Sequence, residues 1–415
     1  MQEPIDKIWF DKLAAIHPFS LVGKLTGDPK SRLAKKEQFL ANEIENPKFK
    51  YPRLVVFKID RKRKRLEALR ADIDANEESE IIKRAYCRLI DEKLSHLNIL
   101  EAAQTEDDTM FEKLVTSEFG GPSSEVLHRL MPHVTDMLEK AESHDNELSS
   151  NAALRIKELI LDIPTSDDPL FESFNHESEK TITASKIKKR FKLELANNNI
   201  CDWSVTLDGE CRSASIIIDQ KSKNILIPGH RRVSESRLEA LVKHEIGVHV
   251  MRRVNAESST FMLLSAGLDH YIRGDEGLAK FEEHAIYPAA LNSTIEMYFI
   301  AALVMGLAGK KMNFRETYNL FYDYYLASRH NKDGLSEKGA QNYGWNRAVR
   351  LFKGTTGQSR GICFTHDLAY MHGYIDLLKI LESHPNEQNR FYNGKYDPAN
   401  AFHRKLMDEL EPDSK

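Results

Sequence analysis

The chain has 415 residues, 41% hydrophobic and 29% charged, with 59 basic against 63 acidic side chains and a net charge of −4. That is enough chain for one large or two ordinary domains of a soluble globular protein, and the near balance of charge excludes a general nucleic-acid or membrane-surface binder. The longest apolar run, residues 297–308, is about twelve residues, too short to span a bilayer. Residues 1–6 carry no basic region followed by an apolar core, so no signal peptide is expected and a cytoplasmic setting follows. The four cysteines, Cys87, Cys201, Cys211 and Cys363, form no Cys-x-x-Cys pair and read as reduced thiols, which excludes a zinc ribbon. The oligomeric state stays open.

In chain order, residues 1–163 read as an N-terminal helical region. Ile59-Asp60 leads into a basic run, Arg61 to Arg65, after which Leu66, Leu69 and Ile73 recur at helical spacing; the run reads as a solvated helix face. Residues 81–100 form a second amphipathic pattern. Gly120-Gly121-Pro122-Ser123 is a turn signal before a further helix over 124–142, which Pro132 is expected to kink or split. Residues 164–183 are a boundary candidate. Beyond it come a helix over 184–197 and short strands at 203–207, 214–219 and 223–227, expected to form a small antiparallel sheet. Ser234 or Ser236 is the expected cap of the next helix, the latter in a capping box with Glu239.

That helix, residues 238–254, carries His244-Glu245-Ile246-Gly247-Val248-His249. Two imidazoles beside a carboxylate suit a zinc hydrolase, because neutral imidazoles ligate zinc and a neighbouring carboxylate can accept a proton from water. One residue more than in H-E-x-x-H separates the histidines. In a regular helix, residues five apart sit roughly 140° around the axis. A π-type bulge would return both to one face, with Gly247 tolerating the distortion. A third ligand is expected, and Glu276, in Gly274-Asp275-Glu276-Gly277-Leu278-Ala279, lies far enough downstream for a helix, a turn and a second helix. His270 and His284 read as supporting or surface positions.

Further along, the aromatics Phe314, Tyr318, Phe321, Tyr322, Tyr324 and Tyr325 suit core packing, with a substrate pocket as the alternative. Residues 345–372 gather Arg347, Arg350, Lys353, Arg360, His366, Tyr370 and His372 around three glycines, without the G-K-[ST] ending of a phosphate loop. Arg350, Lys353, His366 and Tyr370 are the candidate substrate-binding residues.

HEIGVH followed by DEGLA resembles the QEGLA-motif proteins, known in bacteria as flavohemoglobin expression-modulating, a family that includes microtubule-associated tyrosine carboxypeptidases. Asn46-Pro47-Lys48-Phe49-Lys50-Tyr51, Leu351-Phe352-Lys353-Gly354 and Cys363-Phe364-Thr365-His366-Asp367 extend the resemblance over residues 10–380. Asp275 replaces the glutamine of the motif name and His366 a lysine, both read as bearing on substrate choice. The resemblance implies an α+β, mostly helical, gluzincin-like metallopeptidase; along the chain a catalytic domain is expected over 184–385 and a C-terminal extension over 386–415. It also implies zinc on His244, His249 and Glu276, Glu245 as base, and removal of one residue, tyrosine or another bulky one, from a peptide or protein C-terminus. The residues leave two other readings open: a zinc amidase acting on a small molecule, and a non-catalytic metal-binding regulatory protein.

Overall fold

The computed structural model describes residues 3–16, 19–171, 181–209, 215–330 and 335–410, and there the chain is mostly helical with two small sheets, an α+β fold. The N-terminal helices follow their apolar periodicity. In Ile59–Asn76 the residues Ile59, Leu66, Leu69 and Ile73 are buried, while Arg61, Lys64 and Arg65 of the basic run are exposed. The helix Glu80–Gln104 starts at Ser79, whose side chain accepts from the Ile82 N–H. The helix Asp108–Phe119 ends at Gly120, φ 78°, at the expected turn.

The helix Ser124–Glu142 is not split by Pro132. A proline removes one backbone bond at a cost of about 3 kcal/mol or more. Here Leu127, Leu130, Met131, Val134 and Leu138 are all buried along one face, and their packing holds the helix through that gap. They share a core with the helix Asn292–Val304, buried from Thr294 to Val304, and with Phe314–Ala327 and Ala369–Ser383. A second core joins residues 9–115 to 256–268, 362–364 and 396–407. The helices before residue 163 and those after residue 184 thus bury one another.

Five strands follow: β1 (Thr181–Thr183), β2 (Ser204–Asp208), β3 (Ile217–Asp219), β4 (Asn224–Pro228) and β5 (Arg232–Ser234). β1 pairs antiparallel with β5, a pair the sequence did not suggest. The other three run β2-β4-β3, and this sheet is mixed rather than antiparallel, because β2 lies parallel to β4. Alternating apolar residues mark which face is buried but carry no information on strand direction. The Asp219 side chain accepts from Lys221, Ser222 and the Ser222 hydroxyl, tightening the β3–β4 turn and leaving the other edge of β4 to β2. Residue 214, expected in the second strand, and Cys211 lie outside the described residues, as does 172–180 of the expected boundary; Cys87, Cys201 and Cys363 are free thiols. Among the described residues no helix is long and apolar enough to cross a membrane.

The sheet packs Val205, Ile225 and Ile227 against the helix Ala184–Asn197 and against Leu241, Val242, Ile246 and Val250 of the histidine-bearing helix. That helix therefore lies on the sheet with one face and turns the other to a cleft.

Candidate functional site

The histidine-bearing helix runs as α-helix Glu235–Val242, π-helix Lys243–Val250 and α-helix Met251–Ala256. The expected bulge is thus present across HEIGVH. Its wider turn brings the imidazoles of His244 and His249 together, ring centroids 4.9 Å apart. Gly247 contributes differently from the expectation. Its φ is not left-handed, so the bulge does not need glycine's backbone freedom; a Cβ there would sit 2.8 Å from the Lys243 side chain, so glycine leaves room for that stem. The capping box is absent. Ser234 precedes the first turn without a side-chain cap bond, and Glu239 instead accepts from Arg190 Nε at 2.7 Å and Nη2 at 2.6 Å.

Glu276 comes from the helix Tyr271–Ile286. Its Oε2 lies 3.8 Å from His244 Nε2 and 3.7 Å from His249 Nε2. That oxygen is buried and has no hydrogen-bond partner among the described residues. Donor atoms of His244, Glu245 and His249 also lie within 4.8 Å of one another. Burial raises the Glu245 pKa, with Glu276 and Glu283 adding to the shift and the two histidines opposing it.

The outer nitrogens of both imidazoles are anchored. His249 Nδ1 lies 2.8 Å from Asp275 Oδ2, and His244 Nδ1 lies 3.1 Å from Glu283 Oε2. Asp275 in turn accepts from Arg252 Nη1 at 2.9 Å, and Glu283 from Lys280 Nζ at 2.6 Å. Arg252 is fully buried and donates onward to the carbonyls of Gly394 and Tyr396, so residues 386–410 pack behind the site. Burial opposes ionisation of Asp275 and Glu283, but His249 with Arg252, and Lys280 with His244, hold both well below the usual carboxylate range. Burial likewise works against charge on His249, yet Asp275, Glu276 and Glu245 raise its pKa to about 9. Asp275, read from sequence as bearing on substrate choice, is thus placed to orient His249. Sequence reading missed Glu283, Arg252 and Lys280. The signal for two of them was present: residues 276, 280 and 283 share one helix face.

Gly277 explains the rest of the motif. A Cβ there would fall 2.3 Å from the Gly373 carbonyl carbon, so the helices Tyr271–Ile286 and Ala369–Ser383 meet backbone to backbone. This contact brings Tyr370 beside Glu276; burial first, then the Glu276 charge, raises the Tyr370 pKa.

The cluster floors a cleft of about 1030 Å³. Of the four candidate substrate-binding residues, Arg350 and Tyr370 line it, and Arg350 is engaged with Asp367, Nη2 to Oδ1 at 3.0 Å. Lys353 and His366 are not brought there. Lys353 faces a separate small cavity beside Arg32 and Tyr51. The His366 ring stacks on Phe364, centroids 5.5 Å apart, and meets the edge of Phe119 at 5.1 Å. Of the aromatics at 314–325, Phe314, Tyr318, Phe321 and Tyr324 are buried core residues, and Tyr324 alone also reaches the cleft lining. His284 bonds the Tyr374 hydroxyl at 2.7 Å. Two arginines that sequence reading passed over, Arg231 and Arg237, line the cleft with Nε atoms that are buried and without hydrogen-bond partners among the described residues. Burial, then the neighbouring Arg237, lower the Arg231 pKa, while Glu245 and Glu283 raise it.

An open cleft floored by two anchored imidazoles and two carboxylates is the donor set of a hydrolase. The sequence profile of the microtubule-associated tyrosine carboxypeptidase family matches residues 37–411, nearly the whole chain. The chain belongs to that family, one of carboxypeptidase-type hydrolases. No curated protein and no solved structure matches it.

Proposed function

We propose that the protein is a zinc-dependent carboxypeptidase with a zincin-type site, removing one residue, tyrosine or another bulky residue, from the C-terminus of a peptide or protein. The observation that carries this reading is that the unpartnered Glu276 Oε2 lies 3.8 Å from His244 Nε2 and 3.7 Å from His249 Nε2. Ligands about 2.0–2.2 Å from a tetrahedral ion stand roughly 3.3–3.6 Å from each other, so both separations from Glu276 suit a shared zinc with little movement, with a fourth position left to the cleft. Bound there, zinc would supply Lewis acidity and a lowered pKa for water.

The chain's own residues do the rest. Asp275 and Glu283 fix the imidazole tautomers so that Nε2 faces inward. Glu276, beside Tyr370, keeps Oε2 free of any competing hydrogen bond among the described residues. Glu245, its proton affinity raised by burial, accepts a proton from water and passes it to the leaving amine. Arg231 and Arg237 lack competing carboxylate bonds at Nε and receive the terminal carboxylate of the substrate. Met137, Leu241 and Met297 supply apolar wall for a large side chain.

A peptide ending in tyrosine, offered as free acid and as amide, tests this. The acid should be shortened by one residue, cleavage should stop with a chelator and return with zinc, and the amide should lose most of the rate. Equal cleavage of acid and amide would convert the reading to an amidase or endopeptidase. Full cleavage in chelator would remove the metal from it.

A further inference from the structure

A second histidine–carboxylate cluster lies outside the cleft. Glu92 and His96 stand four residues apart on one face of the helix Glu80–Gln104, Glu118 lies in the last turn of the helix Asp108–Phe119, and His270, in a left-handed conformation with φ 51°, precedes the helix Tyr271–Ile286. His96 Nε2 is 3.2 Å from Glu118 Oε1 and 3.8 Å from Glu92 Oε1; His270 Nδ1 is 3.4 Å from the same Glu118 oxygen. We propose that His96, Glu118, His270 and Glu92 form a second site for a divalent metal ion of the zinc class, independent of the cleft.

Three observations carry this. His96 is 5% exposed, yet both its ring nitrogens, and Glu118 Oε1, lack hydrogen-bond partners among the described residues. An imidazolium paired with carboxylates would aim an N–H at one of them; here the nitrogen and the oxygen are 3.2 Å apart without that alignment. A shared cation would satisfy both atoms at once. Second, each carboxylate has one oxygen tied off and the other turned inward. Glu118 Oε2 accepts from Ser95 Oγ at 2.5 Å and Glu92 Oε2 from Lys93 Nζ at 2.8 Å. Such supporting bonds fix ligand orientation. Third, the separations of 3.2, 3.4 and 3.8 Å bracket the ligand–ligand edges of a tetrahedral site. Two imidazoles and two carboxylates match borderline first-row ions, zinc foremost, rather than calcium or magnesium. The His270 side chain is 43% exposed and gives the ion access from solvent. An ion here would fasten the start of the Glu276-bearing helix to the two N-terminal helices.

The test is zinc stoichiometry by elemental analysis of the full-length protein after equilibration with zinc and removal of excess. Wild type should hold two ions per chain, His244→Ala/His249→Ala one, and His96→Ala/His270→Ala one. If wild type holds a single ion that persists in His244→Ala/His249→Ala and is lost in His96→Ala/His270→Ala, this site stands and the cleft reading fails. If His96→Ala/His270→Ala keeps all the zinc of wild type, this site is overturned. Because truncating buried His96 can unfold the chain, a second measurement leaves the cluster intact. In the His244→Ala/His249→Ala background, zinc should raise the melting temperature, and adding His270→Ala, at an exposed side chain, should abolish the rise. No zinc-dependent rise in that background overturns the proposal.

Discussion

In the cleft, His244 and His249 each give their outer nitrogen to a carboxylate, whereas neither ring nitrogen of His96 is hydrogen-bonded among the described residues. The support has moved: in the cleft it lies behind the imidazoles, and in the second cluster behind the carboxylates, through Ser95 and Lys93. The surroundings account for the difference. The cleft imidazoles face about 1030 Å³ of open space, so packing cannot hold their inward faces and hydrogen bonds behind them must. His96 is enclosed by helices and stacks near Phe119, ring centroids 6.1 Å apart, so packing fixes its plane without a bonded partner. Bonds behind a ring set its tautomer and basicity, which matter for chemistry; packing around a ring sets only its place.

The largest effect that separates the two regions belongs to Glu245, since the second cluster has no counterpart facing a cleft. Glu245→Gln keeps the shape and removes proton acceptance. Turnover should fall by about 10²–10⁴, the range for lost general acid–base catalysis, with zinc content unchanged. Turnover within threefold of wild type would place the base elsewhere.

Next comes the support itself. Asp275→Asn keeps a partner for His249 and Arg252 but removes the charge. Zinc affinity of the cleft site, measured by chelator competition, should drop by about 10–100-fold, the usual cost of losing such support. Ser95→Ala removes a neutral donor from Glu118 and should cost the second site less than about tenfold. Equal losses would mean that the two sites are supported alike.

A smaller effect is expected from Arg237→Gln, which should raise KM for a free-acid peptide about tenfold or more, as for a lost hydrogen bond to a charged group of about 1.5–3 kcal/mol, with kcat little changed. An unchanged KM, measured on the same peptide, would return attention to Arg350. The smallest belongs to Lys353→Met, which keeps the apolar stem beside Tyr51; kcat/KM should stay within about threefold of wild type, because the group lies outside the cleft.

Much of the site was legible in the sequence because its spacing posed a physical problem. Five-residue separation of His244 and His249 cannot be met by a regular helix, and the π-helix Lys243–Val250 is the answer the spacing demanded. Helical periodicity likewise placed the helices Ala184–Asn197 and Ser124–Glu142 to the residue. What the sequence concealed depends on the third dimension. The parallel pairing of β2 with β4 leaves no trace in alternation. A cationic segment does not say which of its members reaches a cleft: Arg350 does, while Lys353 and His366 point into other packing. The second cluster draws on three separate helices, and no motif joins residues as distant as Glu92 and His270.

The meeting of Gly277 with Gly373 settles where this enzyme has freedom to move. At the Gly277–Gly373 crossing the two helices touch through their backbones with no side chain between them to rearrange, which fixes the spacing from Glu276 to Tyr370 beside it. That side of the cleft is an anvil. Any widening to admit a folded protein's tail must come from other parts of the lining, Met137 and Ala290 among them.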